Sequence, residues 1–362
     1  MYILAMESSC DETSASVVYA DEAGRLFIKS NIIASQVETH RLYGGVVPEI
    51  ASRAHIEAVS SITYEALDAA GISLSDVGLV AVTDHPGLIG ALLVGVNFAK
   101  ALAFANNIPL VAVDHIKGHI AASYLQNEAQ PDFLAPKPPY VALVVSGGHT
   151  SVYHVESYTE HIVAAETRDD AIGESFDKIG RLIGIPYPAG AGFDKLSAEG
   201  FRRACGDVEN AYELFAKSPM RNKNEWKLPS PALAGERPDF SFSGLKTAAC
   251  NLLHKYEQNG EELPRDTFAA AYTYEAVEAV AKQISIALDM FDGEDLVVAG
   301  GVAANSHLRR RLARLCEKKK RKLHIPPLSL CGDNGAMIAA QGYYEFLAGH
   351  LAGSDLNASA SD

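Results

Sequence analysis

His115 and His119, in the stretch His115-Ile116-Lys117-Gly118-His119, are spaced to share an ion. On a helix, residues four apart lie on one face, so both imidazoles can reach one metal. Two surface histidines on an ordinary helix satisfy the same pattern. A zinc protease carries a glutamate general base directly after the first histidine; Ile116 stands there, which disfavours metal-dependent proteolysis. A third ligand has to come from elsewhere, and Asp333 in Cys331-Gly332-Asp333-Asn334-Gly335 is a donor at a helix entrance. Three glycine-rich turns, at 146–150, 189–192 and 300–305, each read as following a strand. Taken singly they are ordinary turns. Together they suit close approach of backbone N–H groups to phosphate or ribose, helped by a helix N-terminus after Asn305. Neither GxxxxGK[ST] nor a GxGxxG after the first strand occurs, so P-loop and dinucleotide-binding readings fail.

The elements that must hold these groups alternate between strand and helix. Residues 2–6, 14–20 and 26–34 read as strands, with the polar loop from Glu7 to Thr13 between the first two. Helical spacing follows over 53–70 and, after Pro86-Gly87, to about Asn106; 77–83 and 109–113 are buried strands. The histidine-bearing helix spans about 115–125, and the proline-rich 127–139 reads as a linker or surface loop. At Tyr140 the opening plan recurs: strand 140–145, a small polar turn, then strand 151–155. This reads as a duplicated αβ unit. Helices are expected over 171–184, 267–290 and 306–319, a strand over 295–299, and irregular chain over 201–240.

The chain has 362 residues, 48% hydrophobic and 21% charged, with mean hydropathy near zero, which excludes disorder of the whole chain. At roughly 100–200 residues per domain, two or three units are expected. Lys plus Arg is 31 against 45 Asp plus Glu, a net charge of −14, which argues against nonspecific coating of nucleic acid. One basic run departs from that balance: nine of the fourteen residues 309–322 are Lys or Arg. It reads either as a phosphate-binding face, each contact adding about 0.7–0.9 to the salt slope, or as a solvated helix complementing its own dipole. Five scattered cysteines without a CxxC pair fit neither a disulfide framework nor a zinc ribbon, so a reducing, cytoplasmic setting is expected. Acidic residues from Glu7 onward interrupt any signal-peptide core. The longest uncharged apolar stretch, 86–99, has 14 residues, too short for a membrane span.

Seven motifs in order carry a family resemblance: Met6-Glu7-Ser8-Ser9-Cys10-Asp11-Glu12-Thr13; His115-x-x-x-His119; Val145 to Thr150; Gly173-Glu174-Ser175-Phe176-Asp177-Lys178; Ser241-Phe242-Ser243-Gly244-Leu245-Lys246-Thr247; Gly300-Gly301-Val302-Ala303-Ala304-Asn305; and Asp333-Asn334. Over about 1–345 the chain resembles the bacterial tRNA adenosine threonylcarbamoyltransferases of the TsaD (formerly Gcp) type. The resemblance implies an α/β architecture: a duplicated two-lobe actin-like ATPase (ASKHA) fold with a nucleotide cleft between the lobes. Lobe I is expected over 1–113 plus 326–350 and lobe II over 114–325, with a disordered tail at 351–362. Three places depart from the family pattern: Asp84-His85 before Pro86-Gly87, Ala189-Gly190-Ala191-Gly192 where Gly-Gly-Pro is common, and Gly335 in place of alanine.

The implied reaction moves a threonylcarbamoyl group from threonylcarbamoyl-adenylate to the exocyclic amine of the adenosine 3′ of a tRNA anticodon, in tRNAs reading codons that begin with A. His115, His119 and Asp333 would ligate one divalent metal, Fe(II) first and zinc second. Val145, Ser146, Gly147, Gly148 and His149 would wrap the phosphate and carbamoyl part of the adenylate. Asp177, Gly190, Asp194 and Asn305 would hold its nucleoside end, or that of ATP. Asp11 is the candidate for orienting or deprotonating the amine; Asp11 and Glu12 capping the hairpin turn is the alternative. The partners implied are tRNA, a separate adenylate-making enzyme and small TsaB-like and TsaE-like proteins, with no membrane. An ATP-binding, non-catalytic regulatory scaffold of the same fold is the competing function, but a scaffold has no need of the metal triad.

Overall fold

The computed structural model describes residues 1–126, 133–221, 226–235 and 237–361; the first part of the expected 127–139 linker lies outside them. Two sheets organise the described chain. The first contains β1 (Tyr2–Glu7), β2 (Glu12–Ala20), β3 (Leu26–Ser35), β4 (Val77–His85), β5 (Leu110–Asp114) and β6 (Leu125–Gln126), ordered β5-β4-β1-β2-β3-β6. The second contains β7 (Tyr140–Val145), β8 (Thr150–Val155), β9 (His161–Glu166), β10 (Asp295–Ala299) and β11 (Lys322–His324), ordered β11-β10-β7-β8-β9. From β3 to β5 and from β9 to β11 the strands follow the same order, so the duplication read at Tyr2 and Tyr140 extends to whole sheets. β1 pairs antiparallel with β2 and parallel with β4. Buried on both faces, Ile3 to Met6 form a continuous apolar run, as a central strand requires.

Met1–Tyr140, Val155–His161 and His324–Asp362 form one compact unit, and Val141–His154 with Ile162–Leu323 the other. This differs from the expected partition in two ways. Residues 114–140 belong to the first unit, because the helix His115–Ala121 lies buried against the helix Gly335–Leu347. A Cβ on Gly118 would stand 2.7 Å from Ile338 Cδ1. Nor are residues 351–361 a loose tail. Ala352 N–H donates to Leu110 O, Ser359 N–H to Asp84 O and Lys100 Nζ to Leu356 O, while Leu356 and Ala358 pack on the core. Small side chains leave the backbone free to pair, which composition alone does not reveal.

The helix Pro48–Ala70 starts with proline in its first turn and ends on Gly71 in the left-handed conformation, both ordinary stop and start devices. The helix Ile89–Asn106 is long and apolar enough to cross a membrane, but Val96, Ala99, Leu102 and Ala103 sit in a core with Leu4, Met6 and Val80. In the second unit the helix Arg265–Met290 is buried over most of its circumference and acts as a core rod for the helices Gly190–Cys205 and Ser306–Lys319. The expected helix 115–125 ends at Ala121 and continues as the 3-10 turn Ala122–Tyr124. The segment expected to be irregular begins inside the helix Gly190–Cys205 and carries the helix Ala211–Phe215. The 189–192 turn follows a connection rather than a strand and opens the helix Gly190–Cys205.

Candidate metal centre and nucleotide turns

In the first unit, β5 ends on Asp114, whose carboxylate accepts the N–H groups of Ile116 and Lys117 and so caps the helix His115–Ala121. The cap fixes the first turn, which aims both imidazoles the same way, ring centroids 4.6 Å apart. Asp333 stands just before Asn334, the cap of the helix Gly335–Leu347. Its Oδ1 is 3.2 Å from His119 Nε2 and 3.6 Å from His115 Nε2. One ligand atom from each of the three lies within 4.8 Å of the others. Neither ring nitrogen of the buried His119 makes a hydrogen bond of acceptable geometry. A buried ring whose nitrogens make no hydrogen bond is costly even with Asp333 Oδ1 beside Nε2, and a cation facing these three groups would remove that cost at Nε2. The donor set thus fits a divalent ion with open positions. Burial works against a charged His115, but Glu7 and Asp333 outweigh it and hold the ring up to about 9, so a cation binding here at neutral pH displaces a proton.

The loop from Ser8 to Asp11 crosses beside this cluster. His55 clamps it: Nε2 lies 3.0 Å from the Cys10 carbonyl, which only accepts, so Nδ1 accepts from the Thr13 hydroxyl at 2.7 Å. Burial pushes the Cys10 thiol far up, which makes it a poor nucleophile. Burial, with Asp333 adding to it, also raises the Asp11 carboxyl, the direction a proton acceptor needs. Burial carries Glu12 up to about 7, opposed by the Ser35 hydroxyl and reinforced by Asp11 and Asp333. Between the ordinary 4.5 and about 7 the folded chain holds a proton that the unfolded chain has released, so this group makes stability fall as pH rises through that window. The stability advantage of Glu12→Gln over the parent is expected to grow between about pH 5 and pH 7.5 in denaturant titrations. An advantage independent of pH would contradict the shift.

The sequence-identified nucleotide residues come together in the second unit. Ser146 N–H donates to His149 O at 2.9 Å and His149 N–H to Ser146 Oγ at 3.1 Å, closing the turn that joins β7 to β8. Gly173 N–H donates to Ser146 O at 3.2 Å, bringing the helix Ile172–Leu182 against that turn. Asp177, on this helix, accepts Ala189 N–H at 2.7 Å and fixes the turn before Gly190. Asp194 Oδ1 accepts both the N–H and the hydroxyl of Ser306 at 3.1 Å. A Cβ at Gly147, Gly148, Gly190 or Gly301 would meet no protein atom within 4 Å, so these positions leave room for a ligand rather than for packing. Asn305 departs from expectation: its Oδ1 caps the helix Ser306–Lys319 by accepting from His307 and Leu308, so that oxygen is not offered to a nucleotide. Asn305→Ala is expected to lose about 1 kcal/mol through the cap, and Asn305→Ser to recover it, as read by chemical denaturation.

Comparison with known proteins bears on this pair of constellations. The family model of TsaD, tRNA N6-adenosine threonylcarbamoyltransferase, matches residues 27–340. The chain belongs to the TsaD family. A Clostridium botulinum (strain 657 / Type Ba4) protein named tRNA N6-adenosine threonylcarbamoyltransferase is 45% identical over 356 residues, covering 98% of this chain and 96% of its own. A relative of the same name from Clostridium perfringens (strain SM101 / Type A) is 42% identical over 98% of this chain and 96% of its own. Among solved structures, T. kodakarensis HypF superposes with a TM-score of 0.59 at 14% identity, over 98% of this chain and 49% of HypF, a likeness of fold alone. With the sheet order, this places the chain in the actin/hexokinase-like α/β class.

Two departures from the TsaD pattern have structural partners. His85 Nδ1 meets Asp84 Oδ1 at 2.7 Å, and its Nε2 lies 3.7 Å from Asp114 Oδ2, so the polar pair braces the cap of the histidine helix. Gly335 takes the position where alanine is common, and a Cβ there would stand 2.8 Å from Ser16 N and 3.0 Å from Ala5 O. Nothing in the structure explains Ala189 and Ala191. The basic run 309–322 is spent largely on its own unit: Arg311 clasps Glu278, Arg314 meets Glu213, Lys319 meets Asp289 and Lys322 meets Glu294. Arg310 and Arg321 donate to the carbonyls of Glu209 and Leu288. Much less positive charge faces a polyanion than the sequence suggests. The sequence reading assigns no role to Glu7, His55 or Ser306. A carboxylate ending an apolar strand is a signal for the first; the other two carry none.

Proposed function

We propose that this protein transfers a threonylcarbamoyl group from threonylcarbamoyl-adenylate to N6 of the adenosine 3′ of the anticodon, in tRNAs reading codons that begin with A. The amine nitrogen attacks the carbamoyl carbonyl, the bond to the phosphate oxygen breaks, AMP leaves with the electron pair, and the amine gives up a proton. The observation that carries this reading is the convergence of His115, His119 and Asp333 in a chain of the TsaD family. These three hold a divalent ion, Fe(II) or zinc, which supplies positive charge for phosphate or carbonyl oxygens. Asp11, raised by burial, orients or accepts a proton from the amine. In the second unit the turn from Val145 to His149 wraps the phosphate and carbamoyl groups with the Gly147 and Gly148 N–H groups as donors, those of Ser146 and His149 closing the turn itself. Asp177 and Asp194 accept nucleoside hydroxyls beside Gly190, and Asn305 adds its amide N–H donors. The adenylate comes from a separate enzyme, and small TsaB-like and TsaE-like proteins assist. Free cysteines and a tRNA substrate fit a cytoplasmic setting.

The test is mass spectrometry of nucleosides from unmodified tRNA incubated with the protein, its partner proteins and supplied threonylcarbamoyl-adenylate. Threonylcarbamoylated adenosine is the expected product. Unmodified adenosine in tRNA that a characterised TsaD modifies under the same conditions would overturn the assignment.

A further inference from the structure

Glu7 ends β1, and its side chain is wholly buried among apolar strands. A carboxylate survives there only if donors surround it. Three do. Ser9 N–H donates to Oε1 at 2.5 Å, the Thr83 hydroxyl to Oε2 at 2.6 Å, and His115 Nδ1 lies 3.0 Å from Oε2. Thr83 comes from β4 and His115 from the helix after β5, so three neighbouring segments converge on one carboxylate. An ionised carboxylate only accepts, which puts the proton on His115 Nδ1 and turns Nε2 toward Asp333. His119 has no comparable support, since neither of its ring nitrogens is hydrogen-bonded.

We propose that Glu7 is the positioning residue of the metal centre. It fixes the tautomer and ring plane of His115 and strengthens Nε2 as a donor, while Thr83 holds Glu7 in turn. The inference rests on the metal-binding reading of His115, His119 and Asp333 and deepens it. Ser9, 3.2 Å from Nδ1 through its hydroxyl, shares the ring nitrogen but carries no charge and so adds little to ligand strength.

Zinc alone, in competition with a chromophoric chelator, is the probe. Glu7→Gln preserves side-chain volume and an acceptor oxygen but removes the charge, and the zinc Kd of the folded variant is expected to rise about 10- to 100-fold, whatever the thermal midpoint loses with the buried pair. Thr83→Val is expected to weaken zinc less. A purely structural Glu7 would lower the midpoint and leave the zinc Kd of the folded protein unaltered, which would overturn the proposal while sparing the metal reading. A parent protein that does not bind zinc would overturn both. Should Glu7→Gln fail to fold, long-range 1H–15N NMR of the zinc-loaded parent decides: Nδ1–H with zinc on Nε2 is expected for His115, and the opposite arrangement refutes the proposal.

Discussion

His119→Ala is expected to lose its divalent cation on dialysis while keeping its fold. The ring is buried and neither nitrogen makes a hydrogen bond, so truncation breaks none and gives up only the 3.2 Å contact of Nε2 with Asp333 Oδ1. The Asp114 cap keeps the helix in place. Two ligands, His115 and Asp333, remain, and losing one of three protein donors lowers affinity by orders of magnitude. Elemental analysis of dialysed protein reads the result, and stoichiometric metal in the variant would remove His119 from the ligand set. His115→Ala makes an informative contrast. It strips a partner from the buried Glu7 carboxylate, so it is expected to cost about 3–5 kcal/mol of stability in addition to the metal.

Gly300→Ala is expected to be among the most damaging single-methyl changes in the second unit. Gly300 has φ of 89°, and a Cβ there would stand 2.4 Å from Val145 O. A non-glycine residue in that backbone region costs about 1–3 kcal/mol. The clash adds about 1–3 kcal/mol, because the obstructing atom is backbone of β7, paired in parallel with β10, and cannot swing aside. Together these consume much of the about 5–15 kcal/mol that stabilises a folded protein. The strain falls on the turn leading to the Asn305 cap, so nucleotide affinity should fall with stability. Denaturant titration with calorimetry using ATP reads both, and an unchanged denaturation midpoint would show that the strand pair yields easily.

That His115, His119 and Asp333 have the chemistry to share an ion was legible for local reasons. Four-residue spacing puts His115 and His119 on one helix face, and Asp333 stands at a helix entrance marked by the capping residue Asn334. The duplicated sheet was legible because the strand, turn, strand pattern recurs at Tyr140. The partition of the chain was not. Residues 114–140 join the first unit through packing of the histidine helix on the helix Gly335–Leu347, a contact across more than half the sequence. Asn305 shows the boundary within one residue: its position before a helix was readable, whereas the commitment of its oxygen to that helix needed the structure.

What the sequence by itself determined is therefore the periodic elements, their caps and the residue types able to do chemistry, all properties of neighbours within a few positions. What the tertiary structure decided is which of those groups are already partnered. The cations of 309–322 are charged by sequence, but Glu278, Glu213 and Asp289 reach them only because the helix Arg265–Met290 and the helix Ala211–Phe215 are packed where they are. Glu7 finds His115 across 108 residues and Thr83 across 76. Such pairings depend on the packing of the whole unit, which brings distant segments within hydrogen-bond range and removes the water that would otherwise satisfy them.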